Sequence, residues 1–197
     1  AAYSIEGGGS KDFNKTKRFI QEHPKELKEF LDVLSNACYE YLRQQVLSGV
    51  NALQIFDSWA DLLSSNDLEK FSLQYTRKLT SLLKADPITS NIPIILFEKA
   101  PKKNIVEIAF EDIACLSLHW QENIGSANKV LKNKYAIQGN LDPKVLLGSD
   151  ELIWDETQKI CGIMDEYPGF IFNLGHGITP DINPDKVQVM IDAIREK

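Results

Sequence analysis

The hydrophobic positions of this chain change period repeatedly. From Lys25 to Gly49 the apolar residues Leu27, Phe30, Leu31, Leu34, Cys38, Tyr41 and Leu42 recur at three and four, the stripe of one long helix ending at Gly49. Ala52 to Phe56 is then a short apolar run after a glycine turn, which predicts a buried strand. Leu68, Phe71, Tyr75, Leu79 and Leu82 stripe a second helix, and the strand Ile92 to Phe97 follows Asp86-Pro87. Three more repeats are expected: helix Asn104 to Glu111 with strand Ala114 to Leu118, helix Glu122 to Leu131 with strand Tyr135 to Gln138, and helical turns Pro143 to Met164 with strand Phe170 to Asn173. A closing helix has Asn183 as its N-cap and Pro184 at its first position.

Strands alternating with helices, each strand nearly continuous in apolar residues, specify a parallel sheet covered by helices, so the fold class is α/β. Doubly wound and barrel versions both fit that pattern. A doubly wound sheet normally carries a glycine-rich phosphate loop after its first strand, and none follows Ala52 to Phe56. A (β/α)8 barrel of the TIM type needs about 250 residues, so this chain is expected to hold about five of the eight βα units, with the first strands lying before Ala1. Residues 1–197 read as one domain without internal boundary or low-complexity tract.

Composition changes the picture in three places. A net charge of -6 with interleaved Lys, Arg, Asp and Glu argues against nucleic acid but leaves an anionic small molecule open. No run of about 18 apolar residues and no signal peptide at Ala1 to Glu6 leave a soluble, cytoplasmic protein as the expectation, with no membrane contact. Cys38, Cys115 and Cys161 lack ligand spacing and are expected to be buried, reduced thiols with no metal.

Candidate chemistry sits just after predicted strands, because all strand C-termini of a parallel fold open onto one face. Four segments stand there: Tyr3 to Ser10, Phe56 to Ala60, Gln138 to Pro143 and Asn173 to Gly177. Read as YSIEGGGSKDF, LQIFDSWA, QGNLDP and FNLGHGITPD, they stand in the order and near the spacing of the uroporphyrinogen decarboxylases, and the chain resembles that family from Ala1 to Lys197.

The resemblance implies a TIM barrel that converts the four acetate side chains of the tetrapyrrole uroporphyrinogen to methyl groups, giving coproporphyrinogen in haem biosynthesis, without metal or organic cofactor. It implies a homodimer for the intact protein. By position, Tyr3 and His176 match the family's active-site tyrosine and histidine, while Phe56 and Ser58 match its substrate-binding phenylalanine and serine. Asp57 has a second reading as a general acid. His176, held between two glycines, has no side-chain neighbours to pack with, whereas His23 and His119 carry no such context.

The family's carboxylate-binding arginines and key aspartate belong to the upstream part. Arg18, Arg43, Arg77 and Arg195 fall within predicted helices, where surface roles are expected. This chain is therefore not expected to catalyse alone. Asp61, Ala100, Ser117 and His119 depart from the family pattern and put the substrate range in question. Two alternatives stand beside the decarboxylase: a zinc and corrinoid methyltransferase of the same superfamily, and a non-catalytic truncated barrel serving as a binding module.

Overall fold

The structure, a computed structural model, describes residues 1–99, 105–131 and 134–196. Ala100 and the Asn104 start expected for one helix lie outside the described residues. Helices α1 (Ala2–Glu6), α2 (Asn14–Glu22) and α3 (Pro24–Leu47) come first. Then β1 (Leu53–Asp57) leads through α4 (Ser65–Leu68), a π-turn at Glu69–Leu73 and α5 (Gln74–Ala85) to β2 (Ile94–Glu98). The remaining order is α6 (Ile105–Ile108), β3 (Cys115–Ser117), α7 (Ile124–Leu131), β4 (Ala136–Leu141), α8 (Asp150–Ile163), β5 (Phe170–Leu174) and α9 (Pro184–Arg195).

The expected alternation is therefore present, with two differences. The expected second helix is broken by the π-turn, and two helices that the hydrophobic pattern does not announce, α1 and α2, precede α3. Caps set several boundaries. Asn183 accepts from the Asp185 amide at 3.0 Å, with Pro184 at the first helical position, and Ser149 accepts from Leu152 N at 3.3 Å to start α8.

The strands form one parallel sheet in the order β1-β2-β3-β4-β5. Among the described residues β1 and β5 each pair on one side only, so this is a partial barrel, an α/β sheet with flanking helices. Its register builds two kinds of row. Ile55, Leu96, Leu116, Ile137 and Phe170 are in register and face the helices, where they pack with Leu79 and Leu83 of α5, Leu131 of α7 and Ile153 of α8. One position along, Phe56, Phe97, Ser117, Gln138 and Ile171 form a row on the opposite face.

Two expectations need correction. Cys115 and Cys161 are buried, but Cys38 is exposed, because its place on the α3 stripe lies outside the packed core. Arg43 does not serve as a solvated surface residue. Its Nε donates to Asp86 at 2.7 Å, beside a 2.8 Å bond from the Tyr39 hydroxyl, and so ties α3 to the end of α5. Asp86 also accepts from the Ile88 amide, and these bonds hold its carboxyl below the usual range. Arg18 keeps the surface role, paired with Glu22.

Candidate active site

Phe56, Asp57 and Ser58 stand at the C-terminal end of β1 because the strand stops at the Ser58-Trp59 turn. Trp59 organises what lies above that end. Its ring packs on Phe13 at 4.6 Å and meets Tyr3 edge-on at 6.1 Å, and Lys99 Nζ lies 5.9 Å from it. Tyr3 is thus placed by a helix resting on an aromatic cluster. The helix is short, but Glu6 accepts from both the amide and the hydroxyl of Thr16 at 2.8 Å, which joins α1 to α2. Gly7 closes α1 at φ 81°, donating to the Tyr3 carbonyl, a left-handed cap that suits glycine.

His176 is placed by backbone proximity. A Cβ on Gly175 would sit 2.3 Å from the Trp120 amide nitrogen, so only glycine allows the β5 end to lie against the loop after β3. The Trp120 amide donates to the Gly175 carbonyl across that contact. The His176 ring then lies edge-on to Phe97 at 6.2 Å and to His119 at 5.9 Å, with its own surface exposed. Nδ1 accepts from the Gly177 amide at 2.8 Å, which puts the proton of the neutral ring on Nε2, the nitrogen left free for a ligand.

His119 is the residue that sequence reasoning missed. Read along the chain it has no context, yet it is 7% exposed and lies beside His176. Burial, then the neighbouring Lys99 and His176, lower its pKa, which keeps the ring neutral. Lys99 in turn pairs with Asp61 at 2.9 Å, so Asp61 and His119 meet at one spot through Lys99. Phe97 was also overlooked. Its register partnership with Phe56, 6.0 Å between rings, follows from strand alternation once the pairing is known.

The segment Gln138 to Pro143 serves the framework. Gln138 Nε2 donates to Ser117 Oγ at 3.0 Å, and Asn140 Nδ2 donates to the carbonyls of His119 and Glu122 at 3.0 and 2.7 Å, which anchors the His119 loop. Asp142 caps the turn at Pro143–Leu147.

Tyr3, Phe56, Ser58 and His176 all line one cavity of about 550 Å³, together with Asp57 and Trp59. The same cavity runs on along α3 and α5, where Leu31, Cys38, Tyr75 and Leu79 line it, so three hydrogen-bonding side chains border a largely apolar space, an arrangement able to hold a polyanionic ring by its carboxylates and seat its apolar body. Phe56 is 63% and Tyr3 55% exposed, so neither is committed to the core. Among the described residues no group of three or more His, Cys, Asp or Glu is placed to hold a metal ion, and no helix is long and apolar enough to cross a membrane.

The uroporphyrinogen decarboxylase (URO-D) family matches the chain over residues 1–197. Among curated relatives, the uroporphyrinogen decarboxylase of Pseudomonas putida (strain W619) is 40% identical over 196 residues, covering 100% of this chain and 55% of the relative. That of Ruthia magnifica subsp. Calyptogena magnifica is 39% identical over 196 residues, 100% of this chain and 56% of the relative. That of Chloroherpeton thalassium (strain ATCC 35110 / GB-78) is 39% identical over 198 residues, 99% of this chain and 56% of the relative. The chain thus spans a little over half the length of the curated relatives it matches. These names support the decarboxylase reading and give none to the methyltransferase alternative.

Proposed function

The chain belongs to the uroporphyrinogen decarboxylase family, and from that premise we propose that the whole protein removes CO2 from the acetate side chains of uroporphyrinogen to give coproporphyrinogen. The observation that carries this reading is the convergence of Tyr3, Phe56, Ser58 and His176 on one cavity from separate parts of the chain. Each decarboxylation replaces a carboxylate by a proton on the same carbon. The electrons of the breaking C–C bond need a sink, which a pyrrole ring protonated at carbon provides, and the remaining carboxylates need fixed donors.

In this reading Tyr3 Oη, Ser58 Oγ and His176 Nε2 donate to substrate carboxylates. Phe56, backed by the buried Phe97, forms the apolar wall against the macrocycle. Charge-assisted hydrogen bonds of this kind are the strong ones, and they also set which acetate faces the reacting position. The arginines and the acid that the resemblance assigns to an upstream part complete the site, so the 197-residue chain alone is not expected to turn over substrate. No metal or organic cofactor enters the scheme. A cytoplasmic homodimer is the form the resemblance carries with it, and light scattering of the full-length protein tests the dimer.

The deciding experiment incubates full-length protein with uroporphyrinogen and resolves the products by carboxylate number. Stepwise appearance of seven-, six-, five- and four-carboxylate porphyrinogens is expected. Unchanged substrate would end the proposal.

A further inference from the structure

Asp57 ends β1 and Glu98 ends β2, side by side in register. The π-turn Glu69–Leu73 inserts Ser72 between them. Ser72 Oγ lies 2.5 Å from Asp57 Oδ2 and 2.7 Å from Glu98 Oε1. A hydroxyl has a single proton to donate, so it can serve one of these oxygens only. The second contact is at hydrogen-bond length and needs a proton from the carboxyl itself. Two carboxylates around one hydroxyl would leave an oxygen–oxygen contact with no hydrogen in it, so one of the two acids is neutral.

The surroundings decide which. Glu98 is 6% exposed, and its Oε2 has no hydrogen-bond partner among the described residues. Beside it is a cavity of about 20 Å³ lined by Ile105, Ile108, Leu116 and Leu118 together with Ser117, His119 and Glu122. A carboxylate there would leave a buried charge unmet, whereas a neutral acid leaves only a carbonyl oxygen unpaired. Asp57 is partly exposed and lines the large cavity, where solvent can support its charge.

We propose that Glu98 is the proton-bearing member of a hydrogen-bonded chain, Glu98 to Ser72 to Asp57, and acts as a positioning residue that fixes the Asp57-Ser58 end of β1 in the wall of the candidate active site. Glu98 donates to Ser72, and Ser72 donates to the Asp57 carboxylate. The charged group acting on the pair from another element is Arg77 of α5, which favours the charged form of Glu98. His119 and Glu122 line the small cavity beside Glu98. Burial first, and the Asp57 charge second, push Glu98 up from its ordinary 4.5 to about 8, against the Ser72 hydrogen bond and Arg77.

The sign of the pH dependence follows. Folding raises the proton affinity of Glu98, so between 4.5 and about 8 the folded state holds a proton that the unfolded chain has lost. The stability from this group is complete below 4.5 and is lost as pH rises through about 8.

The test uses the full-length protein labelled with ¹³C at glutamate carboxyls and ¹⁵N at amides. The Glu98 carboxyl is expected to titrate near 8, and the amides of Asp57 and Ser58 are expected to shift with the same midpoint. Ser72→Ala should reduce that amide response to less than about half, since only through-space charge remains to transmit it. Glu98→Gln keeps a donor toward Ser72 without an ionisable proton. It should abolish most of the fall in melting temperature that the parent protein shows between about pH 6 and about pH 9. Three results would each overturn the proposal: Glu98 titrating in the ordinary carboxylate range, Glu98→Gln melting with the parent's pH dependence, or an undiminished Asp57 and Ser58 response in Ser72→Ala. None of these readouts uses turnover, so the outcome is independent of the decarboxylase reading.

Discussion

The two faces of the sheet are built from adjacent rows and obey different rules. Ile55, Leu96, Leu116, Ile137 and Phe170 meet the helices, and the three central members are at most 2% exposed. The neighbouring row, Phe56, Phe97, Ser117, Gln138 and Ile171, is buried at its centre and open at its ends, with Phe56 63% and Ile171 42% exposed. One row carries only apolar side chains because dispersion and the hydrophobic effect need nothing else. The other carries a Gln–Ser hydrogen bond and exposed aromatic and aliphatic groups, which add little to folding and are available to a ligand. A shift of a single residue along each strand thus separates an all-apolar packed row from one that carries a polar pair and exposed groups.

That separation can be broken most strongly on the helix side. Leu96→Ala empties a site that is 0% exposed and should cost about 2–5 kcal/mol, read as a lowered denaturant midpoint. Phe56→Ala, one face over, should change stability by no more than about 0.5 kcal/mol while weakening substrate binding. Equal destabilisation by the two would erase the distinction.

On the functional side, His176→Ala should lower kcat/KM for decarboxylation in the full-length protein by about 10²–10³, or about 2.7–4 kcal/mol. Its unfolding free energy should stay within about 0.5 kcal/mol of the parent. A melting temperature that drops together with activity would mark His176 as structural.

Gly175→Ala sharpens the contrast, because it is predicted to injure both properties. The added methyl meets the Trp120 backbone, so a loss of about 1–3 kcal/mol is expected, along with reduced turnover as His176 moves away from His119. Unaltered stability would show that the β5 end is free to shift.

The smallest effect concerns thiols. Cys115 lies deep on the open face, 2% exposed, with burial pushing its thiol up to about 12. Of Cys38, Cys115 and Cys161, Cys38 is expected to react with a thiol reagent in the native protein and the other two only after unfolding. Fast labelling of Cys115 would mean that the open face admits solvent to its depth.

Much of the fold is legible in the sequence because period and breakers are local. Asn183-Pro184 fixes the start of α9, and the apolar runs place every strand of the sheet within a few residues. The π-turn was not legible, since Phe71 and Tyr75 continue a helical stripe on either side of it. In the site, Tyr3, Phe56, Ser58 and His176 could be named from four short segments. His119 could not, because a lone histidine beside a tryptophan has no local signal, and its partner lies 57 positions away, from His119 to His176. Asp61 and His119 were each visible as departures, but their connection through Lys99 is spatial.

The alternation of helices and apolar strands, the parallel α/β class and the family are readable from the order of residue types along the chain. The folded arrangement was needed to see that Ser72 lies between Asp57 and Glu98, which histidine lies beside which, and which buried polar groups find partners. Hydrogen bonds and desolvation depend on distances of a few ångströms between residues far apart in sequence, and periodicity carries no information about those distances.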